Sequence, residues 1–127
     1  MIVVDTSALI AIVKQEAQAE ACKVALAQAD STLVSAATLT EVLVVANGNG
    51  LTSQILALLD LLNLDVVALD ERGARLAVDA YRKWGRRNHP ASLNFGDCFA
   101  YALAKERACP LLFIGNDFSQ TDIVAAI

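Results

Sequence analysis

One histidine, His89, and three cysteines in 127 residues leave little material for the commonest soft-metal and nucleophile chemistries. Cys22, Cys98 and Cys109 are odd in number and show no C-x-x-C spacing, so neither a disulfide scaffold nor a zinc site is expected. The bland reading, small apolar residues of a core in a reducing compartment, takes precedence. There is no surplus of basic charge either. The net charge of −4 argues against a protein that grips nucleic acid through a broad basic face. It leaves room for a site whose positive charge arrives as metal ions. No apolar run is long enough to cross a bilayer, since the stretch from Ile55 to Leu64 is interrupted by Asp60 and Asn63. Met1 to Val4 reach Asp5 with no basic n-region, so no secretory signal is read and a cytoplasmic protein is expected.

What is abundant is apolar surface. The hydrophobic fraction is 56%, more than one core of this size uses, and implies a helical surface that meets an oligomeric or other partner. At this length the chain is expected to form one domain over residues 1–127, because two would leave neither with an adequate core. Met1-Ile-Val-Val-Asp5 has the β-branched character of a buried strand, and Thr6 or Ser7 can cap the helix implied by Ala8, Leu9, Ile12 and Val13. A helix over Glu16 to Ala29, a strand over Thr32 to Ser35 and a helix carrying Leu39, Val42, Leu43 and Ala46 follow. After the turn Asn47-Gly-Asn-Gly50 come a leucine-striped helix to Leu62, a strand over Asp65 to Ala68, and a helix from Glu71 to near Gly85. Arg86 to Ser92 is a loop. A last helix around Phe95 to Leu103 and a strand over Leu111 to Ile114 complete the series. Strands alternating with helices, and no hairpin, predict an α/β fold with a central parallel sheet of about four strands flanked by helices in three layers.

In such a sheet, function gathers beyond the carboxyl ends of the strands. Asp5 ends strand one, while Asn116 and Asp117 follow strand four. Glu41 lies two turns into the helix after strand two, and Asp97 lies in the first turns of the helix before strand four, sharing a face with Asn94 and Tyr101. Singly, each has an ordinary explanation: a strand-end cap, a solvated helix residue, a charge suited to a helix N-terminus, a turn residue. Together they demand a cation. Two carboxylates about 4 Å apart repel by about 4 kcal/mol at an effective dielectric of about 20, and four acids multiply the pairs. Oxygen donors alone select Mg²⁺ or Mn²⁺ over zinc.

The segments Ile2-Val-Val-Asp-Thr-Ser-Ala-Leu9, Ser35-Ala-Ala-Thr-Leu-Thr-Glu41, Asn94-Phe-Gly-Asp-Cys-Phe-Ala-Tyr-Ala-Leu-Ala-Lys105 and Leu111-Leu-Phe-Ile-Gly-Asn-Asp-Phe-Ser-Gln-Thr-Asp-Ile123 resemble the PIN-domain toxins of the VapC type. The resemblance spans essentially the whole chain in four ordered segments. It implies a PIN-like fold and an Mg²⁺- or Mn²⁺-dependent endoribonuclease, the toxin of a toxin–antitoxin pair, with RNA as substrate, a cognate antitoxin as partner and a homodimer as assembly. It further implies Asp5 and Asp97 as primary metal ligands and Glu41 and Asp117 as the rest of the acidic pocket. Thr6 or Ser7 would orient Asp5 or a metal-bound water. Many relatives carry lysine where Ile114 stands and a second acid at Asn116, which leaves Asn116 and Asp117 as alternatives facing the metal. Arg82, Lys83, Arg86, Arg87 and His89 concentrate positive charge that either holds phosphate, Arg86 and Arg87 above all, or suits a helix end.

Two other classes are weaker. A phosphatase-like domain with Asp5 as nucleophile wants a second aspartate where Ser7 stands, and no Gly-rich loop follows strand one to hold a nucleotide. A non-catalytic α/β interaction module would use the same acids only as caps and have no affinity for metal.

Overall fold

The computed structural model describes all 127 residues. It contains β1 (Ile2–Val4), α1 (Thr6–Val13), α2 (Ala19–Gln28), β2 (Thr32–Ser35), α3 (Ala36–Gly48), α4 (Thr52–Leu62), β3 (Asp65–Val67), α5 (Glu71–Trp84), α6 (Phe95–Glu106) and β4 (Leu111–Leu112). The four strands form one parallel sheet in the order β3-β2-β1-β4. The chain steps outward from β1 to β2 to β3, then crosses back to place β4 on the other side of β1. The reversal puts a topological switch point between β1 and β4, where a crevice opens beyond the strand ends.

Strand alternation divides the core. Val3, Leu33 and Leu111 point to one face, where they pack with Ala77 and Ala80 of α5 and Cys98, Tyr101 and Leu103 of α6. Val4, Val34 and Leu112 point to the other, against Leu9 and Ile12 of α1, Cys22 and Leu26 of α2, Val42 of α3 and Ile55 of α4. Helices on both faces of a parallel sheet make the three expected layers.

Three details depart from the sequence reading. The second helix starts at Ala19 rather than Glu16, after a turn in which Gln15 takes a left-handed φ of 54°. β3 ends at Val67 rather than Ala68, and it is an edge strand with Asp65 and Val66 exposed. β4 is shorter than Leu111–Ile114, and the C-terminal segment runs beside it through a parallel bridge from Leu111 to Ala125. Cys22 and Cys98 are buried and all three cysteines are free.

The leucine-striped helix is only partly core. Ile55 is fully buried, whereas Leu61 is 81% exposed, and Leu56, Val44 and Val24 are exposed as well. No helix is long and apolar enough to cross a membrane.

Candidate active site

Asp5 stands at the junction of β1 and α1. Its amide donates to the Leu112 carbonyl, continuing the ladder into β4, and its carboxylate caps α1 by accepting from Ser7 N–H through Oδ2 at 3.0 Å. The same oxygen accepts the Ser7 hydroxyl at 2.7 Å, and that hydroxyl in turn accepts the Ile114 amide at 3.0 Å. Ser7 therefore ties the carboxylate of one strand end to the backbone just past the neighbouring one. Ser7→Ala strands the part-buried Ile114 amide and removes one of the two bonds to the Asp5 carboxylate oxygen. It should cost about 1–2 kcal/mol and lower the melting temperature by several degrees; an unchanged melting temperature would show that the bridge contributes nothing.

Asp97 sits at the N-terminus of α6 in a reciprocal capping box: Asn94 N–H donates to its Oδ2, and its own N–H donates to Asn94 Oδ1, both at 2.9 Å. Glu41 reaches the same region from α3. Its Oε1 accepts the Thr6 hydroxyl at 2.5 Å, and its carboxylate lies so close to the Gly96 backbone that a Cβ there would overlap it. Thr6 thus orients Glu41, not Asp5. Asp5 and Asp97 each commit one oxygen to local structure and keep the other.

The kept oxygens carry the signature of a charged site. Asp5 is 4% exposed, and its Oδ1 is buried with no hydrogen-bond partner. Burial pushes its carboxyl above the usual range, the Glu41 charge adds to the rise, and the Ser7 hydrogen bonds oppose it. Asp97 is pushed up to about 7, first by burial and then by the charges of Asp5, Asp117 and Glu41, against the lowering bond from Asn94 N–H. Four acids from four distant stretches of chain therefore meet at one end of the sheet. No three of them close into a ready-made cage. Even so, an unpartnered buried carboxylate oxygen among like charges, in a set of oxygen donors alone, fits a hard divalent cation. Burial and the Asp97 charge raise the Cys98 thiol to about 11, so it offers no thiolate nucleophile beside them.

The acid repulsion gives a pH dependence with a definite sign. Asp97 binds its proton more tightly when folded, so its contribution to stability is complete below about pH 4. It is lost as pH rises through about 7. A shift of this size is worth at most about 4 kcal/mol, and screening at the open side of the site leaves about 1–2 kcal/mol as the expected loss. In EDTA, melting temperature should therefore decline across this window in the wild type and less steeply in Asp97→Asn. Parallel curves would rule out the electrostatic origin.

Other residues are placed as follows. Asp117 is exposed, yet its charge reaches Asp97; the backbone carbonyl of Asn116 accepts the Ser119 amide and hydroxyl. Arg86 and Arg87 are exposed and make no salt bridge, whereas Arg82 meets Asp79 at 3.5 Å and Lys83 meets Asp122 at 4.0 Å. Arg86 N–H donates to the Leu93 carbonyl, which sets that arginine next to the start of α6. His89 is a loop residue whose Nδ1 accepts the Ala91 amide. Tyr101, expected on the Asp97 face, is buried and structural: it accepts from Trp84 Nε1 at 2.8 Å and donates to Asp122 at 2.5 Å. Sequence reasoning missed Gly96, for which a glycine inside a helix and next to an acid is the available signal.

The PIN domain family profile matches residues 2–124. A VapC ribonuclease of Mycobacterium bovis is 43% identical, the alignment covering 98% of this chain and 97% of the relative. Ribonuclease VapC of Mycolicibacterium smegmatis is 40% identical over 97% of this chain and 98% of its own. Among solved structures, Mycobacterium tuberculosis VapC20, described as a Sarcin-Ricin loop cleaving toxin, superposes with a TM-score of 0.79 at 18% identity, covering 98% of this chain and 97% of that one. A toxin–antitoxin complex from Klebsiella pneumoniae superposes with a TM-score of 0.73 at 19% identity, covering 100% and 98%.

Proposed function

The chain belongs to the PIN domain family, and from that premise we propose that residues 1–127 act as one nuclease domain, a divalent-metal-dependent endoribonuclease serving as the toxin of a toxin–antitoxin pair. The observation that carries the chemistry is the buried, unpartnered Oδ1 of Asp5 in a cluster that lifts Asp97 to about 7. Asp5 and Asp97 are the primary ligands of the cation, with Mg²⁺ or Mn²⁺ selected by a donor set of oxygens alone. A cation held there supplies positive charge to the phosphoryl oxygens and makes water a competent nucleophile at neutral pH.

The chain's own groups do the positioning. Ser7 locks the Asp5 carboxylate, Asn94 locks that of Asp97, and Thr6 with the glycine surface at Gly96 fixes Glu41. Asp117 closes the acidic pocket from the loop after β4. The exposed, unpaired Arg86 and Arg87 offset the acidic surface where RNA phosphates approach. The exposed apolar side chains of α2, α3 and α4 (Val24, Val44, Leu56 and Leu61) are the surface left for protein partners, a cognate antitoxin and a second copy.

Incubation of the purified chain with total RNA should give cleavage in Mg²⁺ or Mn²⁺ that EDTA stops. RNA left intact in every metal tested would move the protein to the non-catalytic interaction module.

A further inference from the structure

Asp5, Glu41 and Asp97 each accept a hydrogen bond that fixes the carboxylate, whereas the Asp117 side chain accepts none. Its position depends on the backbone of the loop after β4. On the strand side that backbone passes through Gly115, which turns at a φ of 97°. Phe118, the next residue after Asp117, is 2% exposed and packs its ring 5.0 Å from Phe113. On the far side the loop is fastened at Asp122. The Tyr101 hydroxyl donates to Asp122 at 2.5 Å, Lys105 donates at 3.1 Å, and Lys83 stands at 4.0 Å. Trp84 Nε1 donates to the same hydroxyl at 2.8 Å, which leaves the Tyr101 proton for Asp122. Tyr101 lies one turn after Asp97 on the same face of α6. One helix thus carries Asp97 and grips the loop that brings Asp117 towards it.

We propose that Tyr101 and Asp122 are positioning residues of the cleavage reaction, acting through Asp117: their clasp sets where the fourth acid stands relative to Asp97. The proposal rests on the ribonuclease reading and adds to it two residues outside the acidic pocket. Burial pins the Phe118 ring but not the direction of the backbone on either side. Glycine is the most permissive residue, so Gly115 leaves that direction open and the constraint comes from Asp122. The Phe118 carbonyl accepts both the amide and the hydroxyl of Thr121, which passes the constraint back to Asp117. Anchoring the C-terminus does not need the clasp, because Leu111 already binds Val124 and Ala126 through both its backbone groups.

Two readouts test the assignment. In the metal-free protein, the NMR order parameter of the Asp117 amide should fall from about 0.85 to below about 0.6 in Asp122→Ala, with those of Asp5 and Asp97 unchanged. In Mn²⁺, Tyr101→Phe and Asp122→Ala should each slow cleavage of total RNA about tenfold. Asp122→Asn keeps an oxygen for the Tyr101 hydroxyl and should stay within about twofold of the wild type. On an Asp117→Asn background, Tyr101→Phe should cost less than about twofold more, because the group it acts through is gone. Asp122 is exposed, so Asp122→Ala keeps the test open should Tyr101→Phe fail to fold. An undiminished loss on the Asp117→Asn background overturns the proposal, as does a loss in Asp122→Asn as deep as in Asp122→Ala. So does an Asp117 amide as rigid in Asp122→Ala as in the wild type. RNA left uncut by the wild type would overturn the nuclease reading itself. Cleavage at the wild-type rate in Asp122→Ala removes the clasp from the reaction and leaves that reading standing.

Discussion

Asp97→Asn is expected to abolish RNA cleavage while leaving the metal-free protein at least as stable as the wild type. The two halves come from different atoms. Asn retains an oxygen that can accept the Asn94 amide, and the residue-97 amide still donates to Asn94 Oδ1, so both halves of the capping box that starts α6 survive. The substitution removes the charge that Asp5, Asp117 and Glu41 already make unfavourable, and metal-free stability above neutral pH should rise by about 1–2 kcal/mol. On the proposed function a primary ligand is lost at the same time. Several kcal/mol of transition-state charge stabilisation go with it, a fall in rate on the order of 10²–10³-fold or more. Growth inhibition in cells expressing the chain should disappear in parallel. Retained cleavage would mean the acids do not hold the catalytic ion. A clear drop in melting temperature in EDTA would make Asp97 a structural cap and nothing more.

Gly96→Ala separates position from stability more sharply. An added Cβ overlaps the Glu41 carboxylate, the far end of a flexible side chain that can swing away. The displacement breaks the Thr6–Glu41 bond, worth about 1 kcal/mol, while alanine inside α6 returns about 1 kcal/mol of helix propensity. Melting temperature should change by only a few degrees. Cleavage should fall by at least about tenfold, because Glu41 leaves the pocket whose geometry it completes. Glu41→Gln, which keeps the side chain's shape, should lose activity without disturbing Gly96. If Gly96→Ala cleaves like the wild type, the placement of Glu41 is irrelevant to the reaction. If it unfolds, the contact is a packing constraint rather than a functional one.

The layered sheet and the gathering of acids were legible in the sequence because both follow from local pattern. Buried β-branched runs mark strands, and the polar residues just past them must lie at one end of a parallel sheet. What was not legible is how those acids are held. The Ser7 hydroxyl reaches Ile114 across 107 positions, and Thr6 reaches Glu41 across 35, so no spacing rule assigns either long-range partner. Nor was the part played by Tyr101 legible: it shares the Asp97 face by helical spacing, and its bonds with Trp84 and Asp122 make it a clasp for the C-terminal segment. The edge position of β3 was not legible because Asp65-Val-Val67 carries the same residue types as a central strand; only its neighbours differ.

The proposed binding of a divalent metal by Asp5, Glu41, Asp97 and Asp117 is tested most directly by melting the protein through a Mn²⁺ titration near pH 8, above the value of about 7 to which Asp97 is raised. The wild type should gain stability saturably, by about 2.7 kcal/mol at a hundredfold excess over Kd, and Asp5→Asn should lose most of that gain. A wild-type melting temperature indifferent to Mn²⁺ and Mg²⁺ at every concentration would contradict a metal centre at this end of the sheet.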